Sequence, residues 1–411
     1  MHFKKILVLL SFFYATSAFS LSNECGENSS IDGTGYLLAP SGKDDSTNLA
    51  CVFNSAINQG ITNIKLERGD FKISSLEVTG FEGKFEGTNR NDTKLIIANN
   101  SLSCGDNFGE APSLITFIGG SVSINKMTID VDRPCERADT YSVLEFVQAS
   151  CTARTHFANV DRVDFVGPGI DIDDLTRAIA FIGKPECVEE GKGPLGTFKL
   201  NRSSINGFVY GVTTGLLGAG QVDINFNEFS NVLVAIETQN ANQSTTITGN
   251  EIGYIVYGVM AFSDQEYAPS QHRVVVHSNS FKQSEIGSSA YAVIVFTEAV
   301  RTSISTVISN NSFELIDRQS ADSSQVGIGI FDVDNAVVIN NSFEGDATVG
   351  IYVDSYRFEK SAENTTVIGN NFNQKNSLED WDILLGEGAD YSVIGKQGAI
   401  TEDRGYQNRK L

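Results

Sequence analysis

The chain has 411 residues, 41% hydrophobic and 20% charged, with 30 basic against 51 acidic side chains and a formal net charge of −21. A surface of that sign argues against nucleic acid or anionic membrane as a partner, and it admits an acidic polymer only where basic groups or a bound cation gather locally. No segment beyond the N-terminus offers the roughly 18 uninterrupted apolar residues of a spanning helix, so no membrane-spanning segment is expected.

The first twenty residues have the layout of a secretory signal: Lys4 and Lys5, an apolar run from Ile6 to Tyr14, and Ala18-Phe19-Ser20 as a small-x-small cleavage site. The expected mature chain begins near Leu21, carries a charge of −23, and is secreted, whether extracellular, cell-surface or periplasmic. Residues 21–80 read as an N-terminal cap with the first coil of a solenoid, and 81–411 as the solenoid with a C-terminal tail.

Within the cap, Asp44 to Gly60 predicts a helix, because Leu49, Val52, Phe53, Ala56 and Ile57 fall on one face. Asp45 or Ser46 is placed to cap its start and Gly60 its end. A strand pair follows, Ile64-Lys65-Leu66 and Phe71-Lys72-Ile73, with Glu67-Arg68-Gly69-Asp70 turning between them. An amphipathic helix across the first coil would cover its apolar end and unpaired strand edges. Cys25, Cys51, Cys104, Cys135, Cys151 and Cys187 lie in the first half, none in a CxxC pair. Six cysteines in an exported chain suggest disulfides and allow fifteen connectivities. Sequential pairing, each bond tying a long loop to its own coil, is preferred over buried free thiols.

A phrase then recurs: an apolar pair, an Asn, one spacer and a large apolar residue. It reads Ile224-Asn225-Phe226-Asn227-Glu228-Phe229, Ile247-Thr248-Gly249-Asn250-Glu251-Ile252, Val276-His277-Ser278-Asn279-Ser280-Phe281, and returns through Asn311-Ser312-Phe313, Asn341-Ser342-Phe343 and Asn370-Asn371-Phe372. From Asn227 to Asn250, Asn279, Asn311, Asn341 and Asn370 the steps are 23, 29, 32, 30 and 29 residues. A fixed phrase at a variable step marks coils that share a core and differ in their loops.

About ten coils are expected, centred on Phe85, Met127, Val163, Ile205, Phe229, Ile252, Phe281, Phe313, Phe343 and Phe372. Each holds two strands joined by an Asn- or Gly-containing bend. Stacked about 4.8 Å apart, the Asn carboxamides would bond into a ladder and the Phe rings into a core row. Asn also tolerates the left-handed backbone of a tight bend.

The opening Asp44-Asp45-Ser46-Thr47, the helix through Ala56-Ile57, the stretch Leu66-Glu67-Arg68-Gly69-Asp70-Phe71 and the Asn-x-Phe phrases resemble the pectate-lyase superfamily. The resemblance implies an all-β fold, a single-stranded right-handed parallel β-helix with an N-terminal capping helix. It leaves the chemistry open among lyases, hydrolases, epimerases, esterases, tailspikes and noncatalytic members. The family's Arg-x-Pro-x-x-Arg pattern has its counterpart at Asp132-Arg133-Pro134-Cys135-Glu136-Arg137, where Asp132 replaces the first arginine.

Candidate catalytic residues are Asp171, Asp173, Asp174, Arg177 and His156. In a strand Asp171 and Asp173 share a face about 6.6 Å apart, within the roughly 6.5–9.5 Å that inverting glycosidases use. The His-Gly and Arg-x-Lys elements of polygalacturonase-type hydrolases are missing, so a solvated acidic strand end or a cation site is the plainer reading of this stretch. A uronate lyase needs a base and a group that neutralises the substrate carboxylate, roles for which Arg154, His156, Arg162 and Arg177 are placed nearby.

Candidate substrate-binding residues are Phe262, Phe296 and Phe331 in one column, with Tyr352 and Asp354 extending it and Asp264, Glu298, Asp332 and Asp334 beside it. Aromatic faces suit pyranose rings, and carboxylates accept sugar hydroxyls or hold Ca²⁺. A row buried under a loop is the plainer alternative. No cofactor is required, Ca²⁺ being the candidate ion. The expected partner is an extracellular polysaccharide, engaged and cleaved by a lyase or hydrolase activity; the rival is a noncatalytic adhesion or glycan-binding protein. The oligomeric state stays open.

Overall fold

The computed structural model describes residues 25–33, 35–98, 113–131, 141–150, 156–170, 176–183, 196–214, 220–239, 244–263, 271–284, 290–297, 303–316, 324–345, 347–355, 361–374, 381–395 and 401–411. The signal-like segment, Cys104, Cys135, Cys151, Cys187 and the 132–137 pattern lie outside them.

Among the described residues the chain winds as a parallel β-helix with three strands per coil. One coil reads Ser244–Thr248, Glu251–Tyr254 and Tyr257–Ser263, and the next reads Gln271–His277, Ser280–Gln283 and Ala290–Thr297. Each pairs in parallel with its counterpart one coil on, giving a first, a second and a third ladder. The expectation of two strands per coil is therefore corrected. The Asn phrase is the end of one strand, a two-residue bend and the start of another, because apolar residues on either side of the bend both point inward.

The amide ladder forms as the repeat predicts. Asn227, Asn250, Asn279, Asn311, Asn341 and Asn370 are buried at 1–3% exposure. Each of the first five donates Nδ2–H to the next Oδ1 at 2.9–3.0 Å. The same Oδ1 atoms accept the backbone N–H of the Asn below at 2.8–3.0 Å. The ladder starts one coil earlier at Ser203, whose N–H donates to Asn227 Oδ1 at 2.9 Å. Before that Met127 and Val163 hold the position, and an apolar side chain cannot extend an amide ladder. Those two residues and Phe85, which lies in the first ladder, are therefore not in the Phe row.

The left-handed backbone belongs not to the ladder Asn but to the residue before it. Phe226, Ser278, Asn310 and Asn340 have φ of 59°, 55°, 55° and 57°, and Gly249 and Gly369 have 67° and 70°. Three residues later than that position, rings stack inside the second ladder: Phe281, Phe313, Phe343 and Phe372 have centroids 4.7–5.0 Å apart and planes within 10°. The third ladder makes room for them with small residues. A Cβ on Gly258 would stand 2.9 Å from the Phe281 ring, and one on Gly350 2.7 Å from that of Phe372.

The helix is Ser46–Gln59, ended by Gly60 at φ 67°. Leu49, Val52, Phe53 and Ala56 are buried, whereas Ile57 is exposed. Phe53 meets the rings of Phe81, Phe85 and Phe117 edge-on at 5.0, 5.2 and 5.7 Å, closing the end of the core. Asp45 gives no side-chain cap; its Oδ1 instead accepts the Ser41 N–H at 3.0 Å. A Cys25–Cys51 disulfide pins the N-terminal segment to the helix, the first of the sequential pairs. The strands Asn63–Leu66 and Gly69–Ile73 do not form a hairpin: each pairs in parallel, in a different ladder.

Candidate functional site

The outward face of the third ladder carries three columns of side chains. Register places Arg177, Tyr210, Val234, Tyr257, Tyr291, Val326, Val349 and Trp381 in line. The second column runs Glu145, Ala180, Thr213, Glu237, Met260, Ile294, Gly329, Tyr352 and Leu384. The third contains Gln239, Phe262, Phe296, Phe331 and Asp354. Along this face the chemistry changes from ionisable in the early coils to aromatic in the later ones.

At the ionisable end the Arg177 guanidinium lies over the Tyr210 ring, 5.7 Å from its centroid. Burial lowers the Arg177 pKa, while Glu237, Tyr210 and Glu145 act in the opposite sense. Burial raises that of Glu237, with Arg177 pulling it down. Tyr210 is raised by burial and by Glu237, against the pull of Arg177. Glu145 Oε2 accepts from Ser113 Oγ at 2.6 Å and Thr116 Oγ1 at 3.5 Å. Two carboxyls, a guanidinium and a phenol thus share a partly desolvated patch, where charge interactions are strong. The guanidinium suits a carboxylate or hydroxyl, and a raised carboxyl is a proton donor.

In the later coils the rings pack together. Tyr257 and Tyr291 stack at 6.1 Å, and Phe262 and Phe296 at 5.0 Å with planes 2° apart. Tyr291 and Tyr352 both meet Phe331 edge-on, at 6.1 and 5.2 Å, in the space left by Gly329. Tyr352 donates its hydroxyl to Asp354 Oδ2 at 2.6 Å. Burial first, and that bond next, raise the Tyr352 pKa. Asp354 Oδ1 also accepts the N–H groups of Ser355 and Gly388, at 2.8 and 3.0 Å. Val326, Val349 and Leu384 form a second apolar cluster with Tyr291, Tyr352 and Trp381 packed on it, apart from the main core. Arg404 lies over Trp381 at 5.7 Å.

Phe262, Phe296 and Phe331 do share a column, as their spacing suggests. Phe262 and Phe296 are half-buried, and Phe331 is 5% exposed. Tyr352 belongs to the neighbouring column, and it is Asp354 that extends the row. Asp332 is buried in a left-handed conformation, φ 56°. Asp334 Oδ1 accepts from the Glu363 N–H at 3.4 Å.

Arg177 stands on the outward face, but His156 does not join it. That ring points into the core from the first ladder, 4.5 Å from Phe181, and burial drops its pKa to about 4. The placing of His156 among the candidate catalytic residues is therefore corrected: alternation along the strand His156–Val166 turns the imidazole inward with Ala158 and Val160. Asp171, Asp173, Asp174, Arg154, Asp264 and Glu298 lie outside the described residues. Among the described residues no group of three or more His, Cys, Asp and Glu is arranged to hold a metal ion, and no helix is long and apolar enough to cross a membrane.

Tyr210, Glu237, Tyr257, Tyr291 and Trp381 were not singled out from the sequence. The signal was present in the pairs Tyr210-Gly211, Tyr257-Gly258 and Tyr291-Ala292, a ring just before each small residue that admits the core Phe row.

No protein-family model matches the chain, and no curated protein matches it significantly by sequence. Solved structures do. The Azotobacter vinelandii mannuronan C-5 epimerase AlgE4 A-module superposes with a TM-score of 0.52 at 12% identity, covering 90% of this chain and 94% of that one. The Dettilon tailspike protein gp208 gives 0.52 at 12% identity, covering 91% of this chain and 70% of the tailspike. At that identity the likeness establishes the fold alone, and the fold is the right-handed parallel β-helix that the repeat resembles.

Proposed function

We propose that this protein is exported and engages an extracellular polysaccharide along the outward face of the third ladder. The observation that carries the reading is the run of Tyr257, Tyr291, Phe296, Tyr352 and Trp381 along the later coils, backed by the buried Phe331 and ending at Arg177, Tyr210 and Glu237. Ring faces bind the apolar faces of sugars. The guanidinium supplies the directional hydrogen bonds that fix a carboxylate or hydroxyl. The Cys25–Cys51 disulfide supports an oxidising compartment, and the likeness to a carbohydrate-modifying epimerase module agrees with a glycan ligand. Asp171, Asp173 and Asp174 remain candidate acids just before the strand that carries Arg177. Ca²⁺ is the candidate ion.

Cleavage, by a lyase or hydrolase step, is the enzymatic form of this reading. The mature protein is incubated with uronate and neutral polysaccharides, with Ca²⁺ and with chelator, and scored for unsaturated products and new reducing ends. Product that disappears in Arg177→Met and Glu237→Gln supports an enzyme with that cluster at its centre. Binding without product identifies a noncatalytic glycan-binding protein, and silence in both removes the reading.

A further inference from the structure

The bend between the first and second ladders takes a left-handed residue in each coil from Lys126 to Gly369, and the chain fills it in two different ways. In the later coils the position holds residues suited to it or small: Gly249, Ser278, Asn310, Asn340 and Gly369. In the earlier four coils it holds Lys126, Arg162, Arg202 and Phe226, at φ 59°, 56°, 49° and 59°. For long and bulky L-residues that conformation is strained, and strain kept where a cheaper residue would fit points to use.

None of these side chains repays the strain by filling the core. Phe226 is 66% exposed, and the side chains of Arg202 and Arg162 are 60% and 44% exposed. The Phe226 ring lies across Gly249, where a Cβ would come within 2.7 Å of it. Glycine there lets the ring lie down with its other face in solvent. Beside it Arg202 binds Asp161 through two bonds of 2.8 Å, and Arg162 Nε binds the same carboxylate at 3.0 Å. Two guanidiniums on one carboxylate leave one net positive charge on an exposed ridge of a chain whose formal charge is −21. The Arg162 terminal nitrogens have no partner among the described residues.

Two residues along the chain from the ridge, Asp164, Ser204 and Glu228 line a cleft of about 540 Å³ on the second ladder together with Arg90, Lys94 and Asp130, so the positive charge sits on the ridge and the cleft itself offers mixed charges and hydroxyl partners. The long bend 87–92 leans over it. Arg90 Nη1 donates to Asp164 Oδ1 at 2.8 Å and reaches the Arg202 carbonyl at 3.5 Å, while Ser204 Oγ donates to Asp164 Oδ1 at 2.7 Å.

We propose that this ridge and cleft form a second binding site, for an anionic sugar chain. The sugar face stacks on Phe226, its carboxylate or sulfate meets the Arg162–Arg202 pair, and flanking hydroxyls enter the cleft. The site shares no residue with the third-ladder face, so it stands or falls separately from that reading.

The mature protein is titrated with a uronate oligosaccharide, a sulfated oligosaccharide, an uncharged one and a single-stranded oligonucleotide, at low and high salt. Phe226→Asn and Arg202→Asn, residues the same bend carries at Asn310 and Asn340, are compared with wild type for binding and Tm. At least one anionic oligosaccharide is expected to bind, more weakly at high salt, and to outbind the uncharged sugar and the oligonucleotide. Each variant is expected to lose roughly tenfold or more in affinity while Tm stays level or rises by about 1–2 °C as strain is relieved. Absence of anionic-sugar binding, equal binding of the oligonucleotide, wild-type affinity in both variants, or a lower Tm in both would overturn it. The losses caused by Phe226→Asn and Arg202→Asn are expected to persist in a Tyr291→Ala, Phe296→Ala background, which removes the contribution of the third-ladder face.

Discussion

Asn279 Nδ2 donates to Asn311 Oδ1 at 3.0 Å, and the Asn279 backbone N–H donates to the same oxygen at 2.9 Å. One carboxamide oxygen thus satisfies two buried donors from the coil below, while its own amide group serves the next. Asn279→Ala strips the partners from Asn250 N–H, Asn250 Nδ2 and the Ile247 carbonyl. With unsatisfied buried polar groups costing about 1–3 kcal/mol each, a loss of about 3–5 kcal/mol is expected by denaturant titration. Asn279→Asp keeps the acceptors but aims a carboxylate oxygen at the Ile247 carbonyl and at Asn311 Oδ1. Its folded pKa is expected to rise, so part of the lost stability returns as pH falls below that pKa.

Two buried histidines contribute to the acid side of the stability profile. Burial lowers His156 and His272 from 6.5 to about 4. Between those values the unfolded chain binds protons that the folded chain refuses, so stability rises with pH there. The contribution is full above about 6.5 and is lost as pH falls toward 4, up to about 3 kcal/mol for each ring. Thermal melts across that window should steepen with acidity, and a His156→Leu, His272→Leu protein should show a flatter profile. An unchanged slope would mean that the rings are protonated in the folded state.

Where glycine rather than alanine holds the small column facing the Phe row, a methyl group would collide with its neighbours. In Gly350→Ala the new Cβ would meet the Asp382 carbonyl at 2.6 Å and the Phe372 ring at 2.7 Å. Overpacking of this kind costs about 1–3 kcal/mol. Gly42→Ala has open space around it but a φ of 75°, so it isolates backbone strain from crowding. The two melting temperatures, compared with wild type, separate those effects.

The Cys25–Cys51 bond closes a separation of 26 residues, which by loop entropy is worth about 3.5 kcal/mol. Cys51→Ser should lower Tm under non-reducing conditions, and reductant should bring wild type down toward the variant. Fraying is expected first at the helix that covers the Phe81 and Phe117 end of the core.

The register was legible because the Asn and Phe of each phrase serve the architecture, and identical neighbours one coil apart bond or stack only in register. Helix Ser46–Gln59 was legible for the same kind of reason: Leu49, Val52, Phe53 and Ala56 recur at helical spacing, and Gly60 supplies the left-handed stop. The third strand was missed because the phrase around Asn227 looks continuous, although a left-handed Phe226 bends it. His156 was misplaced because proximity in sequence to Arg177 says nothing about which side of a strand a ring occupies. The outward columns were only partly legible. Phe262, Phe296 and Phe331 stand out as large residues, whereas Glu237 and Tyr210 matter through burial and mutual charge, which only the stacked coils create.

The central claim is that the third-ladder face holds a polysaccharide. Its most direct test is a binding titration of the mature wild type and a Tyr291→Ala, Phe296→Ala protein against uronate and neutral extracellular polysaccharides, with folding of both checked by melting. Binding of at least one polymer by wild type, weakened roughly tenfold or more in the variant, is the predicted result. No binding by wild type, or equal affinity in the folded variant, would contradict it.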